Sequence, residues 1–291
     1  MLRLVLPKGS LERATLDLFS SADLAVERSS EVDYRAKIDD PRIDEVRILR
    51  PQEIPRYVAE GLFDFGITGR DWIEETDSDV VSLGELHYSK ATSRPIKVVL
   101  AVPSTSPIVN ASELKDGIRV STEYPNLTAK YFEKIGVKAE VLLSYGATEA
   151  KVPDIADAVV EITETGRAIR AAGLKIVETI LVSNTELIAN PKSAQDPTKL
   201  HAMEQILTLL TGTLAARDSV LVKLNVGSAD LGKVIAELPS MKSPTVSQLF
   251  GGEGFAVEAV VPRSTINTLI PSLKDHGASD ILEIPLSKIV P

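Results

Sequence analysis

The chain has 291 residues, 44% of them hydrophobic and 25% charged, with a formal net charge of −9. That is the composition of a folded globular protein; the absence of cysteine excludes thiolate chemistry and disulfides, and 32 Lys and Arg against 41 Asp and Glu argue against a general nucleic-acid binder. Two or three domains are expected at this length, no apolar run reaches the roughly 18 residues of a membrane helix, and with no export signal over residues 1–8 the expected compartment is the cytoplasm.

Residues 2–6 read as a short strand. Lys8-Gly9-Ser10 makes a turn, and Leu11, Ala14, Leu18, Phe19 and Ala22 follow at helical spacing, with Ser10 as the N-cap. Residues 46–49 form the next strand, ending at Arg50-Pro51. Pro51 suits the first turn of a helix that Gly61 stops. A buried strand over 63–68 closes at Gly69-Arg70-Asp71. This alternation predicts an α/β domain with a mainly parallel sheet.

A second alternating region starts near Pro95. Strands are expected over 96–102 and 117–121, then a break at Tyr124-Pro125 and a helix carrying Leu127, Tyr131, Phe132 and Ile135. Residues 156–162 form another apolar strand, and 174–182 and 186–189 return as strands. A long helix over 197–216 leads into the tail. There, strands over 220–226, 255–261 and 281–284 alternate with two helix faces, Leu231, Val234, Ile235, Leu238 and Ile266, Leu269, Ile270, Leu273. Strand–helix–strand, twice, is the ferredoxin-like βαββαβ pattern.

Chemistry concentrates in Ala156-Asp157-Ala158-Val159-Val160-Glu161-Ile162-Thr163-Glu164-Thr165-Gly166-Arg167. An apolar strand delivers a hydroxyl-rich, Gly-containing loop to a helix start, where successive backbone N–H groups suit an anion. Thr163 and Thr165 add hydroxyls and Arg167 a charge. Asp157 and Glu161 lie four apart on a strand and share a face, which suits ribose hydroxyls or a divalent metal carried by a phosphorylated sugar. The bland alternative is an ordinary turn with solvated acids. Lys8 beside Gly9 opens a similar strand–turn–helix start, and Arg50 stands at a strand end, where α/β proteins place ligand contacts. Both also fit surface roles. His87, His201 and His276 are far apart in sequence and support no triad or zinc cluster; Trp72 reads as a packing anchor.

In order, these segments resemble the ATP phosphoribosyltransferases of histidine biosynthesis in their long form, over nearly the whole chain. The opening Leu6-Pro7-Lys8-Gly9-Ser10-Leu11 looks like the family's first motif. Arg50-Pro51-Gln52-Glu53-Ile54-Pro55-Arg56-Tyr57-Val58 resembles its Arg-x-x-Asp-Ile-Pro-x-Tyr-Val, with Glu53 where Asp is usual. Residues 61–71 fit Gly-x-x-Asp-x-Gly-Ile-x-Gly-x-Asp, residues 122–127 fit Thr-Glu-Tyr-Pro-Asn-Leu, and residues 157–169 fit the phosphoribosyl-pyrophosphate segment. One departure is Ala168 where the family commonly has a second Thr. A backbone N–H there still serves phosphate, so weakened affinity at most is expected.

The resemblance implies an α/β fold: a bilobed catalytic part like periplasmic binding proteins plus a C-terminal ferredoxin-like, ACT-like domain. Residues 1–93 with 183–212 would be the first lobe, 94–182 the second, and 213–291 the regulatory domain. It also implies a glycosyltransferase that joins adenine N1 of ATP to C1 of 5-phosphoribosyl 1-pyrophosphate with Mg²⁺ and releases pyrophosphate. On this likeness Asp157, Glu161, Thr163, Glu164, Thr165, Gly166, Arg167 and Ala168 bind phosphoribosyl pyrophosphate, with Asp157 and Glu161 the candidate metal contacts. Lys8, Gly9, Arg50, Gly69, Asp71 and Tyr124 line the ATP and pyrophosphate side. Asn225, Ser243, Thr245, Gly277 and Ala278 would bind histidine as feedback inhibitor. The implied assembly is a homohexamer, with a dimer as the exchanging form, and neither nucleic acid nor membrane is a partner. The alternative is a non-catalytic cytoplasmic small-molecule sensor on the same fold, which binding without product formation would reveal.

Overall fold

A computed structural model describes residues 1–89, 94–239 and 243–290. The expected lobe boundary at residue 93 lies outside them. The chain divides into two units: Met1–Ser20 with Leu24–Leu207, and Ser21–Asp23 with Thr208–Pro291.

The first unit contains two sheets. Its first sheet is built from β1 (Leu2–Pro7), β2 (Val26–Glu27), β3 (Arg35–Ile38), β4 (Ile43–Leu49), β5 (Phe65–Gly69), β6 (Val81–Leu86) and a late strand, β12 (Thr185–Ala189), in the order β2-β3-β4-β1-β5-β12-β6. Helices α1 (Glu12–Ser21), α2 (Ile54–Ala59) and α3 (Arg70–Thr76) connect them. The second sheet is β7 (Ile96–Pro103), β8 (Arg119–Thr122), β9 (Glu140–Leu143), β10 (Ala158–Thr163) and β11 (Leu174–Ser183), ordered β11-β7-β10-β8-β9. Helices α4 (Pro125–Ile135) and α5 (Arg167–Ala171) belong to it.

The expectation of a mainly parallel first sheet is corrected. Only β1 with β4 and β1 with β5 run parallel; the other four pairs are antiparallel. The cause is the short hairpins that bring β2 and β3 to one edge, and β12, which re-enters antiparallel from the second sheet. The N-cap expected at Ser10 also moves: α1 starts at Glu12, whose carboxylate accepts the Gly9 N–H at 3.2 Å.

Strand segments buried on both faces need consecutive apolar residues, and 98–102 of β7 and 158–160 of β10 have them. Val98, Leu100 and Val102 of β7 pack with Leu127 and Phe132 of α4, while Ala101 and Val159 pack with Ile169 of α5 on the other face. In the first sheet Val5 meets Ile54, Val58, Ile73 and Ile188. Gly66 is required there, because a β-carbon would lie 2.5 Å from Val5 Cγ1.

Asp64, from the stretch that resembles the Gly-x-x-Asp motif, is a structural staple. Its buried carboxylate accepts the Arg3 N–H at 2.8 Å, Ser193 Oγ at 2.8 Å and Lys199 Nζ at 2.7 Å. It thereby ties β1 to α6 (Pro191–Gln195) and α7 (Pro197–Arg217). Burial alone would raise its pKa, but these donors outweigh it and hold the group at about 2. A depressed carboxylate stabilises the fold above its unfolded pKa and loses that contribution as pH falls toward the folded value. Asp64→Asn is therefore expected to cost about 3 kcal/mol at pH 7 by urea denaturation, with the gap to wild type closing between roughly pH 4 and pH 2.

In the second unit β13 (Ser219–Val226), β14 (Thr245–Gln248), β15 (Phe255–Pro262) and β16 (Ala278–Pro285) form an antiparallel sheet ordered β14-β15-β13-β16. Strand β13 alternates strictly, with Val220, Val222, Leu224 and Val226 buried against Val234 of α8 (Leu231–Glu237) and Leu269 and Leu273 of α9 (Ile266–Asp275). This is the ferredoxin-like order. Its second strand, β14, completes the pattern from a segment whose four residues are all exposed. Among the described residues no helix is long and apolar enough to cross a membrane.

Candidate functional site

Strands β8, β9 and β10 run parallel, so their carboxyl ends carry three neighbouring loops. That edge is where open α/β sheets hold ligands. The loop after β10 is fixed by its own bonds. Thr163 Oγ1 accepts the Gly166 N–H at 2.7 Å, and Arg170 Nη2 donates to the Thr165 carbonyl at 2.9 Å. Gly166 has φ +72°, which disfavours any β-carbon, and one would also lie 2.6 Å from Arg170 Nη1. Glu164 Oε1 accepts from Ser89 Oγ at 2.6 Å. Arg167 and Ala168 are exposed.

Glu161 lies on the face of β10 that also carries Val159, beside Ser121 of β8. Burial pushes its pKa up, and the Glu123 and Glu149 charges push the same way. Bonds from the Ile162 N–H, at 2.8 Å, and from Thr148 partly offset them. Asp157 is different. It shares the face by alternation but stands at the opposite end of the strand, roughly 13 Å away along it. Both of its oxygens are engaged by Arg119, with Nη2 at 2.8 Å and the backbone N–H at 2.9 Å, which holds its carboxyl below the usual range. The two carboxylates expected to share one sugar therefore stand at opposite ends of β10. A surface cavity of about 570 Å³ beside Asp157, lined by Lys115 and Asp116 among others, lies at that far end.

The loop after β9 adds polar groups that lie outside the candidate residues of the sequence. Ser144 Oγ and Thr148 Oγ1 are 2.9 Å apart, and Lys151 Nζ donates to Ser144 Oγ at 2.5 Å. The signal was present as a polar Ser-Tyr-Gly-Ala-Thr-Glu-Ala-Lys run, but β9 before it was not recognised as a strand.

In the first sheet, parallel β1 and β4 bring Lys8, Gly9 and Arg50 to one edge. Lys8 Nζ sits 4.1 Å from the centroid of the Tyr34 ring. Gly9 has φ +92°, and a β-carbon there would lie 3.5 Å from Arg50 Nη1. Gly69 is close-packed, since a β-carbon would come within 2.1 Å of Asp71 Oδ1.

Asp71 and Tyr124 do not line an open surface. Each is at most 2% exposed. Tyr124 Oη donates to Asp71 Oδ2 at 2.7 Å, and Ser183 Oγ donates to Oδ1 at 2.7 Å. Burial raises the Asp71 pKa; burial and the adjacent carboxylate raise that of Tyr124, so the phenol stays protonated. Trp72 packs on Tyr124 with ring centroids 4.5 Å apart. Glu75 accepts the Asn126 and Leu127 N–H groups at 3.1 and 2.9 Å, capping α4 from α3. These bonds join the two sheets, and they make of Asp71 and Tyr124 a buried latch.

In the second unit, Asn225 Nδ2 donates to Asp280 Oδ2 at 3.0 Å, Ala278 pairs with Val226, and Gly277, at φ +92°, abuts Asp230. Asn225, Gly277 and Ala278 thus come together at one end of β13 and β16. Thr245 pairs with Glu258 on the other edge strand, and Ser243 is exposed before it, so within one copy the expected histidine set is not a single cluster.

A sequence model of the ATP phosphoribosyltransferase family matches residues 50–212, and one of the HisG, C-terminal domain matches residues 216–288. The chain is 45% identical over 290 residues to the ATP phosphoribosyltransferase of Chlorobaculum parvum, spanning 100% of this chain and 98% of the relative. It is 46% identical over 292 residues to that of Pelotomaculum thermopropionicum, spanning 100% and 99%. The solved ATP phosphoribosyl transferase (HisG:HisZ) complex from Thermotoga maritima is similar with a TM-score of 0.62 at 27% identity, covering 72% of this chain and 97% of that chain.

Proposed function

The chain belongs to the ATP phosphoribosyltransferase family of histidine biosynthesis, and from that premise we propose that residues 163–168 and Glu161 receive phosphoribosyl pyrophosphate while Lys8, Gly9 and Arg50 line the ATP and pyrophosphate side. In the transfer, the lone pair of adenine N1 forms a bond to ribose C1 as the C1–O bond to pyrophosphate breaks, and pyrophosphate leaves with that electron pair. N1 has a free lone pair at neutral pH, so no strong base is needed. The protein's contribution is orientation and charge stabilisation.

The observation that carries this reading is the self-bonded turn from Thr163 to Gly166 at the carboxyl end of a buried strand, with Glu161 two residues before it. The turn receives the 5′-phosphate through backbone N–H groups and the Thr hydroxyls, and Ala168 contributes its N–H alone. Glu161 accepts ribose hydroxyls. Magnesium takes one or two carboxylates and keeps substrate phosphates and water as its other ligands, and Glu161 fits as such a carboxylate. When bound, Mg²⁺ offsets the charge that develops on the leaving pyrophosphate.

Residues 1–93 with 183–212 and residues 94–182 serve as the two catalytic lobes, and 213–291 as a regulatory domain that binds histidine. Asn225 on β13 and Thr245 on β14 are separated by β15, and in a homohexamer a histidine site between copies would draw on residues of both strands.

The test is turnover of the full chain with ATP, phosphoribosyl pyrophosphate and Mg²⁺, with pyrophosphatase present and histidine titrated. The expected result is the absorbance of N1-substituted adenine, suppressed by histidine. Binding of both substrates without product would replace this reading with the sensor.

A further inference from the structure

The loop between β9 and β10 holds a cation whose use the transfer chemistry above leaves open. Lys151 is half-buried, and its ammonium rests on the hydroxyl of Ser144, itself 2% exposed. Among the described residues no carboxylate pairs with it within 4.0 Å. Three glutamates, Glu123, Glu149 and Glu161, nevertheless occupy the same end of the sheet. Hydrogen bonds run from Lys151 to Ser144 and from Ser144 to Thr148, and the turn that carries Thr148 and Lys151 packs against β10, the strand of Glu161. A second group on this face is also unmatched. Ser121 Oγ, directly beside Val159 and two residues from Glu161 in register, is buried without a hydrogen-bond partner.

A sugar bearing phosphate at C5 and diphosphate at C1 presents its anions on opposite sides of the ring. If residues 163–168 hold the 5′-phosphate and Glu161 the ribose, the same packing continues from the ribose toward Lys151. Lysine is a compact point charge suited to phosphoryl oxygens, and a buried serine that holds it in place lowers the cost of ordering it. Resting on the functional reading above, we infer that Lys151, positioned by Ser144, binds the diphosphate of phosphoribosyl pyrophosphate from the side of the five-stranded sheet.

The experiment is equilibrium binding by calorimetry to the full chain, as wild type, Lys151→Gln, Lys151→Arg and Ser144→Ala, with phosphoribosyl pyrophosphate, ribose 5-phosphate and ATP as probes, each with Mg²⁺. Lys151→Gln should weaken phosphoribosyl pyrophosphate by about tenfold to a hundredfold, the size of one lost charge-assisted bond, and leave ribose 5-phosphate and ATP unchanged. Lys151→Arg should restore part of the loss. Ser144→Ala should weaken the same probe by a smaller factor, and it carries the test if Lys151→Gln does not fold. Unchanged affinity in both variants, an equal loss for ribose 5-phosphate, or a loss confined to ATP would overturn the assignment while the functional reading stands. A wild-type chain that binds none of the three probes would overturn both.

Discussion

Replacing Glu161 by glutamine is expected to lower kcat by about 10²–10³-fold, the loss typical of one well-placed electrostatic contact, while leaving the urea midpoint at pH 7 at or above that of wild type. The two halves of this expectation come from the same geometry. Glu161 is half-buried near Glu123 and Glu149, and partial desolvation and like charge both oppose its ionisation. A carboxyl whose folded pKa is raised stabilises the fold while protonated and loses that contribution as pH rises above the ordinary value of 4.5 through the folded pKa. At neutral pH the charge is therefore a cost that glutamine removes. Sites that hold an uncompensated charge for a ligand characteristically exchange stability for function. A Glu161→Gln protein with full turnover would remove the residue from the reaction, and one that is markedly less stable at pH 7 would make it structural instead.

Asp71→Ala should be among the most destabilising single changes in the first unit, by about 3 kcal/mol or more in urea denaturation. It leaves the Tyr124 and Ser183 hydroxyls buried, each having donated to Asp71 at 2.7 Å. It also cuts the connection that β11, α3 and the start of α4 share. Tyr124→Phe removes one of these bonds and should cost about 1–1.5 kcal/mol, and the double variant should cost less than the sum because both act on one network. A loss below about 1 kcal/mol for Asp71→Ala would mean that the carboxylate is not held as the latch requires.

What the sequence made legible follows burial. β1, β7 and β10 were readable because both faces are covered and nearly every residue is apolar. The two helices of the tail were readable because only one face of each is covered, leaving Val234, Ile266, Leu269 and Leu273 at helical spacing. β14 was missed because its four residues are all exposed, so no alternation marks it. Helix α3 was missed because Gly69-Arg70-Asp71 has the composition of a turn, although Arg70 begins a helix and Asp71, in its first turn, faces inward. The site divides in the same way. Residues 163–168 form one contiguous, locally bonded turn, so composition and order sufficed. The face shared by Asp157 and Glu161 was also readable from alternation. Which end of the strand each occupies was not, because only the pairing with β8 shows where the loops gather. The Asp71–Tyr124 contact joins residues 53 positions apart, and no local pattern encodes it.

The site itself is tested most directly by hydrogen–deuterium exchange of the full chain, read by mass spectrometry with and without phosphoribosyl pyrophosphate and Mg²⁺. The account predicts slowed exchange over residues 144–151 and 161–169, with β13 and β16 unchanged. Protection confined to residues 7–12 and 49–53, with the loops after β9 and β10 exchanging as before, would contradict it.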